Sequence, residues 1–272
     1  MCLPRPDTAA SSASSAERLG SQRMNLHTRY LQQAAWTRDL RTYLFGQADW
    51  LSARRILDVG CGTGAILRDP AATQSASPAD RPLLYGVDRA SAALAACAIH
   101  APSAILTLAD AVALPYPEGS FDITYCHFLL LWLKDPLAAL REMKRVTSGH
   151  VLALAEPDYS ARVDLPGDLA KLGRWQTQAL LTQGADVSIC SRLAALFDRA
   201  GIRIRETGVV NPWKRAAYTT ADLEAEWMIL RQDLGDSVSP ADLERLRRLD
   251  ALAHERGERV LYVPTYFAWG QV

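Results

Sequence analysis

A chain of 272 residues, 49% apolar and 22% charged, has the composition of a globular protein with a sizeable core, which excludes a disordered or fibrous polymer. Thirty Lys and Arg balance thirty Asp and Glu, so no net field draws the chain to nucleic acid or to an anionic membrane. Apolar runs such as FLLLWL at 128–133 fall far short of the ~20 residues that span a bilayer. Five cysteines (Cys2, Cys61, Cys97, Cys126, Cys190) are odd in number and lack C-x-x-C pairs. With no apolar leader ahead of them, they point to free thiols in a reducing, cytoplasmic setting and offer no metal site.

Residues 1–22, rich in Ser and Ala, are expected to form a disordered tail, with Met24 a second candidate start, and 23–272 to form one domain. From Asn25 onwards Leu26, Tyr30, Gln33, Ala34, Thr37, Leu40 and Leu44 share one helical face, with Trp36 and Tyr43 beside it. A helix over 25–46, stopping at Gly46, follows. Next come a strand in RRILDVG, a glycine turn, a short helix, a Pro/Ser/Ala loop at 70–82 and a strand LLYGVD. A helix (90–101), two strands (AILTLAD and FDITYCHF), a helix (135–146) and a strand HVLALAEP complete the run. Such alternation of strands and helices predicts an α/β fold, a parallel sheet with helices on both faces.

Beyond Tyr159 the pattern changes to two helices, a strand IRIRETGVV, a helical insertion over 217–257 and an apolar terminal strand RVLYVPTYFAWG. Within the insertion, Ser239 followed by Pro240 and Asp242 is a helix start, with the hydroxyl as cap and the proline preset for the first turn. The arginines of that segment are interspersed with acids and read as a solvated face.

The stretch ILDVGCGTGA, residues 56–65, is where chemistry is expected, because glycines at 60, 62 and 64 let another molecule approach the main chain closely. A strand passing through such a loop into a helix presents N–H groups and the positive helix end to a ligand. Gly60, Gly62 and Ala65 also satisfy a dinucleotide pattern, with Asp88 standing 24 residues beyond Gly64, so an NAD-dependent oxidoreductase is one reading. Asp58 ahead of the glycines and Asp110 at the end of the next strand weigh towards another, since three acids then close three successive strands. In LDVGCGTG, GVDRA, LADAVALPYPEGSFDITYCHF and LREMKRV, over about residues 54–157, the chain resembles the class I S-adenosylmethionine-dependent methyltransferases. The likeness is to the small-molecule branch that includes ubiquinone and menaquinone biosynthesis enzymes.

That resemblance implies a Rossmann-like three-layer αβα sandwich, with a mostly parallel seven-stranded sheet that ends in an antiparallel hairpin built from the last strands. It implies that the loop of Gly60, Cys61, Gly62, Thr63 and Gly64 packs against the methionine part of the cofactor, with Asp58 holding its amino group. Asp88, followed by Arg89, would take the ribose hydroxyls; Asp110 and the Ala111 N–H would take the adenine; and Cys126 and His127 would line the methyl-transfer region.

Three residues are candidates for catalysis: His127 at the end of the fourth strand, and Glu156 and Asp158 at the end of the fifth, the edge where ligands bind in open α/β sheets. Each has a structural reading too, as a buried histidine bonded to main chain or as turn acids beside Pro157. Tyr30, Gln33, Trp36 and Thr37 are expected on a lid, Tyr159 in a pocket wall, and Trp227, Met228 and Leu230 in a substrate roof, against the plainer reading of core aromatics. The expected activity is transfer of a methyl group by in-line displacement to a small secondary metabolite at O, N or C, by a monomer or homodimer with no nucleic-acid or membrane partner. A SAM-binding cyclase or lyase, and an RNA or protein methyltransferase, are the alternatives within the fold.

Overall fold

The computed structural model describes residues 15–68, 81–210 and 220–272; Cys2, the loop expected at 70–82 up to residue 80, and the first residues of the expected insertion lie outside them. A seven-stranded sheet is ordered β3-β2-β1-β4-β5-β9-β7. Its members are β1 (Arg55–Val59), β2 (Leu83–Asp88), β3 (Ile105–Leu108), β4 (Phe121–Cys126), β5 (Thr147–Pro157), β7 (Arg203–Val210) and β9 (Thr265–Gln271). The first five run parallel, and β9 is antiparallel to both β5 and β7. The mostly parallel architecture with an antiparallel end is the one the sequence leads us to expect.

Burial follows position in the sheet. Central β1 is buried on both faces from Ile56 to Val59, whereas edge strand β7 alternates exposed with half-buried residues along its length. One core fills the face under α4 (Pro136–Val146) and α6 (Leu193–Arg199), around Leu140, Met143 and Phe197. The other joins α2 (Arg38–Gln47) and α3 (Ser91–His100) to the sheet around Leu44, Trp50 and Tyr125. Helix α4 starts where its sequence says, with Asp135 accepting from the Ala138 N–H at 2.9 Å and Pro136 in the first turn.

Four expectations need correction. The leading helix is two: α1 (Ser15–Trp36), which begins inside the expected tail, and α2, separated at Thr37, where the buried Arg41 guanidinium turns back onto the Ala34 carbonyl and the Thr37 hydroxyl. Among the described residues the glycine loop runs into turns up to Arg68, whose N–H donates to the Gly64 carbonyl, with no regular helix as far as that residue. The terminal strand is broken at Val263–Pro264, so that β8 (Val260–Tyr262) pairs with β6 (Val163–Leu165) in a separate ribbon. Finally, Trp227 and Leu230 do not line the cavity beside the glycine loop. With α5 (Ala170–Thr182) and α8 (Pro240–Glu255), their helix α7 (Thr220–Leu234) encloses a third core, where the Trp227 indole donates to Asp250 at 2.8 Å; Met228 is exposed.

Candidate active site

The carboxyl ends of β1, β2 and β3 open into a cavity of 520 Å³ that α1, the segment after β4 and the end of α7 close from above. Asp58, Gly60, Cys61, Gly62, Asp88, Arg89, Asp110, Ala111, His127, Tyr30 and Gln33 all line it. Thr63, Gly64, Cys126, Trp36, Thr37, Tyr159, Trp227, Glu156 and Asp158 do not.

The glycines are required by close packing as well as by backbone angle. Gly62 has φ +52°, and a Cβ there would lie 2.9 Å from the Tyr30 ring; at Gly60, with φ +75°, it would lie 2.7 Å from the Leu129 side chain. Four of the five N–H groups of the loop from Gly60 to Gly64 are occupied. Gly60 and Cys61 donate to the Val87 carbonyl (2.8 and 3.0 Å), Gly62 to the Asp88 carboxylate (2.9 Å) and Gly64 to the Cys61 carbonyl (2.9 Å). A pyrophosphate needs a set of free N–H groups and a helix end. Among the described residues the loop keeps few free N–H groups and leads into no regular helix as far as Arg68, and an acid stands beside it.

That acid is Asp58. Its side chain is buried, its Oδ2 receives no hydrogen bond from the described residues, and burial pushes its pKa up to about 8, with the Tyr125 hydroxyl and Arg41 opposing the rise and Asp88 adding to it. A buried acceptor without a partner is uncommon in a native fold, and a ligand ammonium would satisfy it. Asp88 takes the Gly62 N–H on one oxygen and the Ala90 N–H (2.8 Å) on the other, so it anchors the loop while keeping lone pairs for hydroxyl donors. Asp110 receives the Val112 N–H at 3.2 Å. The donor set suits a nucleoside joined to a cationic amino acid.

On the far side of the cavity His127 follows β4. Its Nε2 is 2.9 Å from the Thr37 hydroxyl, and burial together with nearby Arg41 lowers its pKa to about 3, so the ring is neutral at physiological pH. Phe128 stacks on it at 4.5 Å and adopts φ +53°, a conformation disfavoured for a bulky side chain. Glu156 explains how the bend is held. Its carboxyl accepts the N–H groups of Leu129 (3.1 Å), Leu130 (3.0 Å) and Leu131 (3.3 Å), while burial pushes its pKa up to about 7.

Glu156 is thus bonded to the main chain of the cavity wall and does not itself line the cavity. Asp158 is likewise committed to main chain, accepting from Ser160 and Ala161 in the turn that follows β5. Tyr159 packs against the core, its carbonyl accepting from Thr177. Trp36 is exposed, and Thr37 serves His127 from behind. The four described cysteines are free, as expected. No group of His, Cys, Asp or Glu among the described residues has the arrangement of a metal site.

Sequence reasoning missed Arg29, Trp132, Leu133, Gln183, Gln232 and Asp233, all of which line the cavity. Arg29 donates twice to Asp233, at 2.8 and 3.3 Å, across 204 residues of chain. No local signal announces such a pair. A second link, His27 Nδ1 to the Thr63 hydroxyl at 2.8 Å with the His27 ring stacked on His100, fastens α1 to the glycine loop.

Residues 57–153 match a family described as a methyltransferase domain. A malonyl-[acyl-carrier protein] O-methyltransferase of Halorhodospira halophila is 36% identical over 163 residues, 58% of this chain and 49% of that protein. The chain thus spans about half that relative's length. The O-methyltransferase resE of Aspergillus sclerotiorum is 29% identical over 218 residues, 80% of this chain and 71% of that one. Among solved structures, a candidate methyltransferase from an antibiotic biosynthesis pathway of Anabaena variabilis superposes with a TM-score of 0.61 at 14% identity, covering 86% of this chain and 97% of its own.

Proposed function

We propose that this chain, whose residues 57–153 match a methyltransferase domain, is a class I S-adenosylmethionine-dependent methyltransferase, and that this cavity binds that sulfonium nucleoside and transfers its methyl group to a small-molecule acceptor by in-line displacement. When bound, the cofactor supplies a methyl carbon activated by a positively charged sulfur leaving group. The observation that carries the reading is the buried, unpartnered Asp58 Oδ2 beside a glycine loop most of whose N–H groups are already engaged. Asp58 would hold the ammonium, Asp88 the ribose hydroxyls, Asp110 and the Ala111 N–H the adenine, and Gly60 and Gly62 would give the ligand room against the main chain.

His127 faces the acceptor side in this scheme. A neutral imidazole with its pKa near 3 is a weak base but a good hydrogen-bond partner, so it orients an acceptor O–H or N–H instead of removing its proton beforehand. Alignment then provides most of the rate, and effective molarities of ~10⁵ M or more are within its reach. Tyr30 and α1 above the loop keep water from the reacting groups.

Incubation of the purified protein with methyl-labelled SAM and a cell extract, followed by mass spectrometry, tests this function. A labelled small molecule is expected. Label retained wholly on SAM would contradict methyl transfer, and label in RNA or protein would contradict the acceptor class.

A further inference from the structure

The acceptor half of the cavity has a distinctive charge arrangement. Its apolar walls come from Leu26, Phe128, Trp132 and Leu133, and its one cation away from the ribose end is Arg29. That cation is already committed. Both guanidinium contacts go to Asp233, whose second oxygen also receives the Gln176 amide at 2.8 Å, and the two side chains are only 13% and 4% exposed. The Asp233 carbonyl is held in turn by the Gln183 amide at 3.3 Å, which fixes the carboxylate from two sides.

A carboxylate entering beside Arg29 would lose its water without gaining a free counter-charge, because that cation is neutralised by a protein acid; the other arginine among the described lining residues, Arg89, follows Asp88. Burying an uncompensated charge is strongly unfavourable. Uncharged polar groups fare better. Gln33 lines the cavity with no hydrogen bond among the described residues, and His127 is neutral. The rings of Phe128, Trp132 and Tyr30 suit a flat partner.

Resting on the proposed methyl transfer, we infer that the acceptor is an uncharged, planar aromatic hydroxy compound, and that Asp233 is the specificity-determining residue that excludes carboxylates by masking Arg29. Specificity of this kind comes from a built-in penalty against the wrong ligand as much as from contacts to the right one.

Calorimetric titration of naphthol and of naphthoic acid at neutral pH, into protein saturated with S-adenosylhomocysteine, tests the inference. The native protein should bind naphthol at least roughly tenfold more tightly than naphthoate. Asp233→Asn, which frees the guanidinium but keeps a hydrogen-bonding side chain, should narrow or reverse that ratio, whereas Arg29→Gln should leave naphthoate excluded. Equal binding of both probes by the native protein, binding of neither, or a ratio unchanged in Asp233→Asn with S-adenosylhomocysteine affinity intact would overturn it. Loss of S-adenosylhomocysteine binding by the native protein would instead overturn the methyltransferase reading, so the two failures are distinguishable.

Discussion

Asp58 holds a proton near neutrality because burial favours its uncharged form, and pairing with an ammonium would reverse that preference. Cofactor binding at pH 7 should therefore release close to one proton, and affinity should rise with pH up to about 8. Titrations in buffers of different ionisation enthalpy measure this directly. Asp58→Asn should abolish the proton release and weaken binding roughly 10- to 100-fold, the usual cost of removing a charged hydrogen-bond partner. A release unchanged in the variant would assign the proton elsewhere. Gly62→Ala tests the other half of the contact, since its Cβ would meet Tyr30 at 2.9 Å from a backbone at positive φ. We expect a loss of ~1–2 kcal/mol in stability together with weaker cofactor binding.

At the level of elements, the wall after β4 depends on Glu156, whose carboxyl satisfies three consecutive N–H groups. Glu156→Ala leaves those donors buried and should cost roughly 2–4 kcal/mol in denaturant unfolding. Glu156→Gln retains an acceptor oxygen and should recover most of that stability and of the turnover. If the alanine variant kept full stability and lost only turnover, Glu156 would be a catalytic group after all. Helix α1 carries a separate pH signature. The folded protein holds His27 neutral down to about pH 4 through burial and the nearby His100 and Arg68, whereas the unfolded chain takes up its proton near 6.5. A histidine depressed in the folded state costs stability as pH falls, so the His27 contribution should be lost between about 6.5 and 4. His27→Gln should flatten that part of the stability profile. An unchanged profile would remove His27 as its source.

Much of this was readable from the chain itself, for identifiable reasons. Strands buried on both faces appear as continuous apolar runs, and the acids that close β1, β2 and β3 sit at fixed places next to them. Ser239 and Asp135 cap their helices through contacts three residues away. Contacts between distant segments left no such trace: Glu156 reaches back 27 residues to Leu129, and Arg29 meets Asp233 across most of the molecule. The break at Thr37 leaves no mark in helix propensity; it coincides with the buried Arg41 turning back onto Ala34 and Thr37.

At the scale of the whole molecule, the ribbon of β6 and β8 is joined to α8 through charges. Asp164 on β6 accepts from Arg162 (2.7 Å) and from Arg259 (2.7 Å), and Arg259 continues to Asp250 on α8 at 2.5 Å. All four side chains are nearly inaccessible to solvent. Removing one member of such a buried network strands the rest, and Asp164→Ala should cost about 3–5 kcal/mol. Thermal unfolding followed through Trp227 fluorescence would report it, and a shift below ~1 kcal/mol would show the network to be incidental.

The architecture unites a sheet edge, a glycine loop with most of its N–H groups engaged and a helix, α7, whose end brings Asp233 to the cavity. Calorimetry of S-adenosylmethionine binding to the native protein and to Asp88→Ala tests the central claim most directly. One molecule bound per chain, with affinity lost in the variant while the fold persists, is the predicted result. No binding to the native protein, or equal binding to both, would contradict it.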